Sequence, residues 1–270
     1  MPALRAGVDR FFEREDARLR WRVEGGAGVG ADAGRIALVL IHGWALSLDY
    51  WNPVVPLLTA QHRLLRYDRR GFGRSVGRYD PNEAVDDLIA LLDAAGIERA
   101  CLVGMSQGAR VAIHTAIRAP DRVDALVLDG APWFEAETEL PLMEYRRLRD
   151  TEGLPALHRA ILGHPLMQLT TPGVQRARLL QQCVETYRGD DLDGGWEPVP
   201  LPRLHAIRQP TLVLNGGEDS VQRRQAGERL RAGIRGARRV EVAGAAHLAS
   251  LDQAGEWAGC VREFAAGVKG

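Results

Sequence analysis

Short apolar runs that recur along this chain of 270 residues constrain its fold more than any other feature. The runs are rich in Val, Leu and Ile, and most of them lead into a glycine. They occupy residues 36–41, 63–67, 100–104, 125–129, 211–215 and 239–243. Unbroken apolar runs of this length are typical of strands buried on both faces of a parallel sheet. Stretches of helical periodicity, such as residues 82–97, separate them, which predicts an α/β fold.

Two regions depart from this alternation. Residues 10–24 alternate in polarity and predict one or two antiparallel strands at an edge of the sheet. Residues 134–208 contain no convincing strand but three amphipathic pieces, at 140–149, 154–162 and 174–187. We interpret 134–208 as a helical cap, or lid, inserted into a core formed by 1–133 and 209–270. A peripheral helical excursion with no role in binding is the alternative.

The strongest chemical motif is Gly104-Met-Ser106-Gln-Gly108, which lies between the run at 100–104 and a helical stretch. A turn this tight brings backbone close on both sides of the serine, so only small residues fit two positions before and after it. The turn lifts the Ser106 hydroxyl clear of the sheet. A position at the head of a helix also favours negative charge on a bound substrate. Ser106 is therefore a candidate nucleophile.

A serine at its ordinary pKa needs a base, and the base needs an orienting acid. Asp219 follows the run at 211–215, and His247 follows the run at 239–243. Both should lie at the carboxyl edge of the sheet, where open α/β sheets place ligands. We predict His247 as the base and Asp219 as the acid. Glu218 and Asp129 are rival acids.

An oxyanion hole would complete such a site. The run at 36–41 leads into His42-Gly-Trp44, and we predict the backbone N–H groups of Trp44 and Gln107 as its two donors. His42 is expected to hold this loop by hydrogen bonds. The substrate pocket should be largely apolar, with three side chains as walls: Trp44, Met105 and Trp133.

Together these motifs resemble the α/β-hydrolase fold superfamily, in particular its small capped serine hydrolases of the enol-lactonase, esterase and cofactor-free haloperoxidase group. The resemblance implies a mostly parallel eight-stranded sheet and chemistry that needs no cofactor or metal. It also makes the loop 68–75 a structural element at the site entrance, with Arg70 as a binding candidate. Ser106 stands where haloalkane dehalogenases and epoxide hydrolases have aspartate, and Gln107 where many relatives have methionine. The motifs lie at 42–44, 68–75, 104–108, 216–219 and 244–247.

The charge balance of the chain limits the classes of molecule that it is expected to bind. Lys plus Arg and Asp plus Glu number 35 each, so the formal net charge is zero and nothing favours nucleic acid or an anionic membrane. The start contains no apolar stretch typical of a signal peptide, so we expect a cytoplasmic protein. We also expect a monomer or a small homo-oligomer. Three widely spaced cysteines do not predict disulfides or zinc.

We predict a carboxylic ester hydrolase that cleaves a small, largely apolar ester or lactone through an acyl-enzyme on Ser106. The same three side chains would also serve an acyltransferase or a cofactor-free perhydrolase. A ligand sensor that has kept its triad is a further alternative, from a different class.

Overall fold

The structure, a computed structural model, describes residues 7–25, 36–133, 139–171, 173–193 and 204–268. The described residues form one sheet of nine strands, in the order β1-β2-β4-β3-β6-β7-β8-β9, with the short β5 paired to β2. Strands β3, β4 and β6–β9 are parallel, whereas β1, β2 and β5 pair antiparallel at one edge. The strands are β1 (Arg10–Glu13), β2 (Ala17–Glu24), β3 (Ala37–Ile41), β4 (Leu64–Tyr67), β5 (Val76–Gly77), β6 (Ala100–Met105), β7 (Val123–Asp129), β8 (Thr211–Gly216) and β9 (Arg238–Val242).

Helices cover both faces of this sheet. They are α1 (Val55–Leu58), α2 (Glu83–Ala95), α3 (Gln107–Arg118), α4 (Leu142–Glu152), α5 (Leu154–Leu162), α6 (Val174–Glu185), α7 (Val221–Gly233), α8 (Ala249–Asp252) and α9 (Ala254–Ala266). The pleat of β3 shows how the two layers form, because Leu38 and Leu40 join one apolar cluster with α1, α9 and the α4–α6 segment. Val39 and Ile41 point the other way and join a second cluster with α2, α3 and α7.

The α/β architecture is confirmed, and each of the six apolar runs forms a parallel strand with bounds within about two residues of the prediction. Residues 10–24 form the predicted antiparallel edge, as β1 and β2. The sheet has one strand more than the eight expected, because β5 contributes two residues that pair with Ala17 and Arg18. None of the helices in the described ranges is long and apolar enough to cross a membrane.

The three amphipathic pieces between β7 and β8 fold as α4, α5 and α6. This segment packs on the core through Trp44, whose ring stacks on Tyr145 with centroids 5.5 Å apart. The Trp44 indole N–H also donates to Asp191 at 2.9 Å. Residues 134–138, 172 and 194–203 of the predicted insertion lie outside the described residues.

Candidate active site

Ser106 occupies the turn between β6 and α3 in a strained backbone conformation. Its φ is 52° and its ψ is −117°, a region that non-glycine residues rarely adopt. The side chain is 6% exposed, and the Ser106 N–H donates to the Asp129 carbonyl at 2.7 Å. Strain of this kind persists only where the surroundings enforce it, which makes Ser106 a candidate functional residue on structural grounds.

Glycines permit the close backbone contacts around Ser106. A Cβ added at Gly104 would lie 2.4 Å from the Gly108 carbonyl oxygen, and one added at Gly43 would lie 3.3 Å from the Ser106 Cβ. A Cβ added at Gly108 would lie only 2.1 Å from the Ile41 carbonyl oxygen. Helix α3 therefore begins in direct contact with the end of β3, and the loop at Gly43 passes beside the serine.

Replacement of Gly108 by alanine is expected to lower the free energy of unfolding by about 2–4 kcal/mol, because the backbone of β3 would have to move. Gly259 in α9 is the matched control, since a Cβ there meets nothing within 4 Å. G259A should raise stability by about 0.5–1 kcal/mol, the usual gain of alanine over glycine in a helix. Urea denaturation of both variants measures the difference, and equal effects would contradict the close contact.

His247 and Asp219 form a buried pair at the carboxyl edge of the sheet. Nδ1 of His247 lies 3.0 Å from Oδ2 of Asp219, with side-chain exposures of 4% and 1%. The other oxygen of Asp219 accepts from the Ser220 N–H at 2.7 Å. A carboxylate only accepts hydrogen bonds, so Nδ1 of His247 is the donor in this pair.

Gly130 lies between the Ser106 turn and this pair. A Cβ added at Gly130 would lie 3.0 Å from Cε1 of His247. Nη1 of Arg223 donates both to the Gly130 carbonyl, at 3.2 Å, and to Oγ of Ser106, at 3.4 Å. Among the described residues, no hydrogen bond joins Oγ of Ser106 to the His247 ring. The structure thus brings the three predicted residues to one edge, with the serine hydroxyl turned towards Arg223.

Comparison with known proteins identifies the fold family. A sequence model of the alpha/beta hydrolase fold matches residues 36–170, which is half of the chain. The chain belongs to the α/β hydrolase fold family.

Individual relatives of this α/β hydrolase include esterases. The pimeloyl-[acyl-carrier protein] methyl ester esterase of Edwardsiella ictaluri is 38% identical over 110 residues, which are 40% of this chain and 42% of that protein. The chain thus spans less than half the length of this curated relative. A crystal structure of a hydrolase from Pseudomonas aeruginosa superposes with a TM-score of 0.80 at 28% identity, covering 96% of this chain and 98% of that one. The enol-lactonase of Burkholderia xenovorans has a TM-score of 0.78 at 24% identity and covers 94% of this chain and 99% of that one, which shows the shared fold.

The two rival acids of this α/β hydrolase point elsewhere. Glu218 is exposed to solvent. Asp129 is fully buried, and its Oδ2 accepts from the Trp257 indole N–H at 2.9 Å. Burial raises the pKa of Asp129 to about 8, and the nearby Asp219 charge adds to the rise. Within the described part of the chain, neither rival forms a hydrogen bond or ion pair with His247.

Asp129 predicts a pH dependence of stability. Its pKa rises from 3.8 in the unfolded chain to about 8 in the folded one, so the folded state holds an extra proton between these values. The stabilising contribution of this proton is complete below about pH 4 and is lost as the pH rises towards 8. Replacement of Asp129 by asparagine should therefore flatten the fall of Tm between pH 5 and pH 8. Thermal melts across this range measure it, and parallel profiles for both proteins would contradict the raised pKa.

The loop after β3 is held by His42 and Arg69. Nδ1 of His42 donates to the Gly43 carbonyl at 2.8 Å, and its Nε2 accepts from the Arg69 N–H at 2.9 Å. Burial, together with the Arg69 charge, keeps the pKa of His42 well below its usual range. Both ring nitrogens are occupied and the ring is neutral, so His42 holds the loop in place.

The three residues predicted as pocket walls separate in the structure. Trp44 and Met105 are buried in the cluster that includes the α4–α6 segment. Trp133 instead packs against the cluster on the other face of the sheet, with the Arg229 guanidinium 5.2 Å from its ring centroid. Substrate contact by Trp44, Met105 and Trp133 stays a prediction, and the structure does not join Trp133 to the other two.

Sequence reasoning missed the arginines at the site. It singled out Arg70, which pairs with Asp87 and Asp16 and so braces the loop. The neighbouring Arg69 is the one that reaches the nucleophile turn, where Nη2 donates to Oε1 of Gln107 at 3.0 Å. Arg223 contacts Ser106 itself. Its position four residues after Asp219, in the first turn of α7, is the one signal that could have suggested it.

Proposed function

We propose that this α/β hydrolase is a serine hydrolase that cleaves a carboxylic ester or lactone through an acyl-enzyme on Ser106. The observation that carries the proposal is the strained backbone of Ser106, with φ of 52°, at the head of α3 and beside the His247–Asp219 pair. The strain has no structural benefit of its own, and it presents a hydroxyl at the edge where α/β sheets bind ligands. The esterases among the relatives agree with this class of reaction.

In the proposed cycle, Nε2 of His247 takes the Ser106 proton as Oγ attacks the substrate carbonyl. The hydroxyl must first turn from Arg223 towards the ring, which is a rotation about one bond. Asp219 keeps Nδ1 protonated and stabilises the positive imidazolium that forms. His247 then protonates the leaving alcohol, and an acyl-enzyme remains. Water, activated by the same ring, attacks the acyl group and releases the acid with Ser106 restored.

The backbone N–H groups of Trp44 and Gln107 are the proposed oxyanion donors. Gln107 begins α3, so its N–H has no acceptor within the helix. Neither amide donates a hydrogen bond to any of the described residues. Trp44 follows Gly43, and Gln107 follows Ser106. The loop at Gly43 passes close to the Ser106 Cβ, so the two amides belong to neighbouring pieces of backbone. Donors held in this way stabilise the negative oxygen of the tetrahedral intermediate.

We further propose that residues 134–208 act as a cap on the core formed by 1–133 and 209–270. Support comes from Trp44, because its backbone belongs to the proposed oxyanion loop while its ring contacts Tyr145 of α4 and, after α6, Tyr187 and Asp191. The position of these helices would therefore affect how a substrate binds at Ser106. The proposed substrate is a small molecule.

Labelling with a fluorophosphonate, followed by peptide mass mapping, tests the proposal. We expect a single covalent adduct on Ser106, together with hydrolysis of members of an ester and lactone panel. Added alcohol, thiol or peroxide acceptors in the same assay would reveal acyl transfer or perhydrolysis by a changed product ratio. Modification at another residue, or no turnover of any ester or lactone, would overturn the proposal.

A further inference from the structure

We propose that Arg223 binds the substrate directly, and that the substrate is an ester or lactone whose acyl part carries a carboxylate close to the bond that is cleaved. This inference rests on the proposed role of Ser106. It departs from the apolar pocket expected from the sequence, because a guanidinium group lies beside the nucleophile.

Arg223 is placed to meet an acyl group on Ser106. Its side chain is buried, with 6% exposure, and Nη1 lies 3.4 Å from Oγ of Ser106. Its Nε pairs with Glu139, and Nη1 also donates to the Gly130 carbonyl. Nη2 makes no hydrogen bond to the described residues, although a guanidinium has five N–H donors. The guanidinium of Arg223 would therefore lie close to the carbonyl carbon of an acyl group on Ser106 and could donate a charged hydrogen bond to that acyl group.

A second arginine lies beside the nucleophile turn. Arg69 is buried, and its Nη2 donates to two neutral oxygens, those of Gln107 and the Gly43 carbonyl. In the described ranges, no carboxylate lies within ion-pair distance of Arg69. Buried positive charge is costly unless an anion compensates it.

Glu139 is the one carboxylate among the described residues that forms an ion pair with Arg223. Glu139 bonds Nε of Arg223 and also accepts from the Ser220 hydroxyl at 2.7 Å. Asp191 accepts from Trp44 and Tyr187, and it acts on Arg69 through its charge rather than through a hydrogen bond. A substrate carboxylate can therefore bond Nη2 of Arg223, and also Nη1 once the Ser106 hydroxyl has turned away, while Glu139 keeps Nε. Two parallel bonds of this kind are the geometry that makes arginine selective for carboxylates.

The competing explanation is that Arg223 only anchors the segment that begins at Glu139. The two explanations predict different effects of charge-changing substitutions on the preference for charged over neutral substrates. If the pair is an anchor, R223M and E139Q both break it and affect charged and neutral substrates equally. If Arg223 binds a carboxylate, R223M removes the preference for the charged substrate. E139Q removes a negative charge that competes for Arg223, so it increases this preference.

The test measures kcat/KM for monomethyl succinate and for its neutral isostere methyl isohexanoate, by methanol release. In the unmodified protein we expect a preference of about 10-fold or more for the charged ester, the usual effect of a charged hydrogen bond. R223M should remove this preference, R223K should keep part of it, and E139Q should increase it. R231M is the matched control, because Arg231 lies two turns further along α7 with half its side chain exposed.

Three outcomes decide the inference. Opposite shifts in R223M and E139Q, with R231M unchanged, support carboxylate binding by Arg223. Equal losses on both esters in R223M and E139Q, or no preference in the unmodified protein, overturn it. Failure of the proposed function is distinct, since it would appear as no turnover of either ester and no fluorophosphonate adduct on Ser106.

Discussion

Replacement of Ser106 by alanine is expected to lower kcat for any ester substrate by roughly 10⁵-fold or more, because it removes the oxygen that forms the acyl-enzyme. Residual turnover would come only from binding and from the oxyanion donors. Steady-state hydrolysis, with the fluorophosphonate adduct as a second readout, measures the loss. The adduct on this site should disappear completely.

Stability provides the control for this variant. Ser106 has φ of 52°, which disfavours any residue with a Cβ. S106A should therefore unfold at about the same temperature as the unmodified protein, whereas S106G should be more stable by about 1 kcal/mol because glycine adopts this φ freely. Retention of more than about one per cent of the activity in S106A, with a normal Tm, would show that another group is the nucleophile.

The elements that sequence predicted best are those determined by local pattern. The apolar runs form strands because a run of Val, Leu and Ile can only be buried, and the pleat then divides residues such as Leu38 and Val39 between two clusters. The turn at Ser106 was predictable because a turn this tight between a strand and a helix admits only small residues two positions before and after the serine. Asp219 and His247 were predictable from chain order, since parallel strands end at one edge.

What the sequence could not supply is the pairing of charged groups brought together by the tertiary fold. Arg69 and Arg70 are adjacent and chemically identical, yet one reaches Gln107 and the other Asp87. Their opposite directions follow from the path of the loop after β4, which no local pattern encodes. Arg223 contacts Ser106 across 117 positions of sequence. The zero net charge likewise gave no indication that Arg69 and Arg223 lie at the nucleophile turn.

The same limit applies to apolar side chains near the sheet edge. Trp133 follows β7 closely and was predicted to line the pocket with Trp44 and Met105; the structure places it against the other apolar cluster, near Arg229. A side chain a few residues beyond a strand can turn to either face, because the alternation of the strand no longer fixes its direction. Trp44 is constrained by contrast, since three partners from the α4–α6 segment and the turn after it hold its ring.

Replacement of Asp219 by asparagine is expected to lower kcat by about 10⁴-fold near neutral pH. The carboxylate holds the proton on Nδ1 of His247, at 3.0 Å, so that Nε2 can accept the serine proton. An asparagine amide can donate to Nδ1 instead, which places the imidazole proton on Nε2 and removes the base. The loss should appear in kcat measured under saturating ester, while Tm changes much less than activity.

D129N is the matched comparison, because Asp129 is also a buried carboxyl at the end of a strand of the same edge. Its Oδ2 bonds Trp257 and not the histidine, so we expect D129N to lower kcat by less than about 10-fold. A large loss in D129N together with an active D219N would assign the orienting role to the end of β7 instead. The fold would be unchanged by that result, but the group that keeps Nδ1 of His247 protonated would then be a carboxyl that the structure places against Trp257.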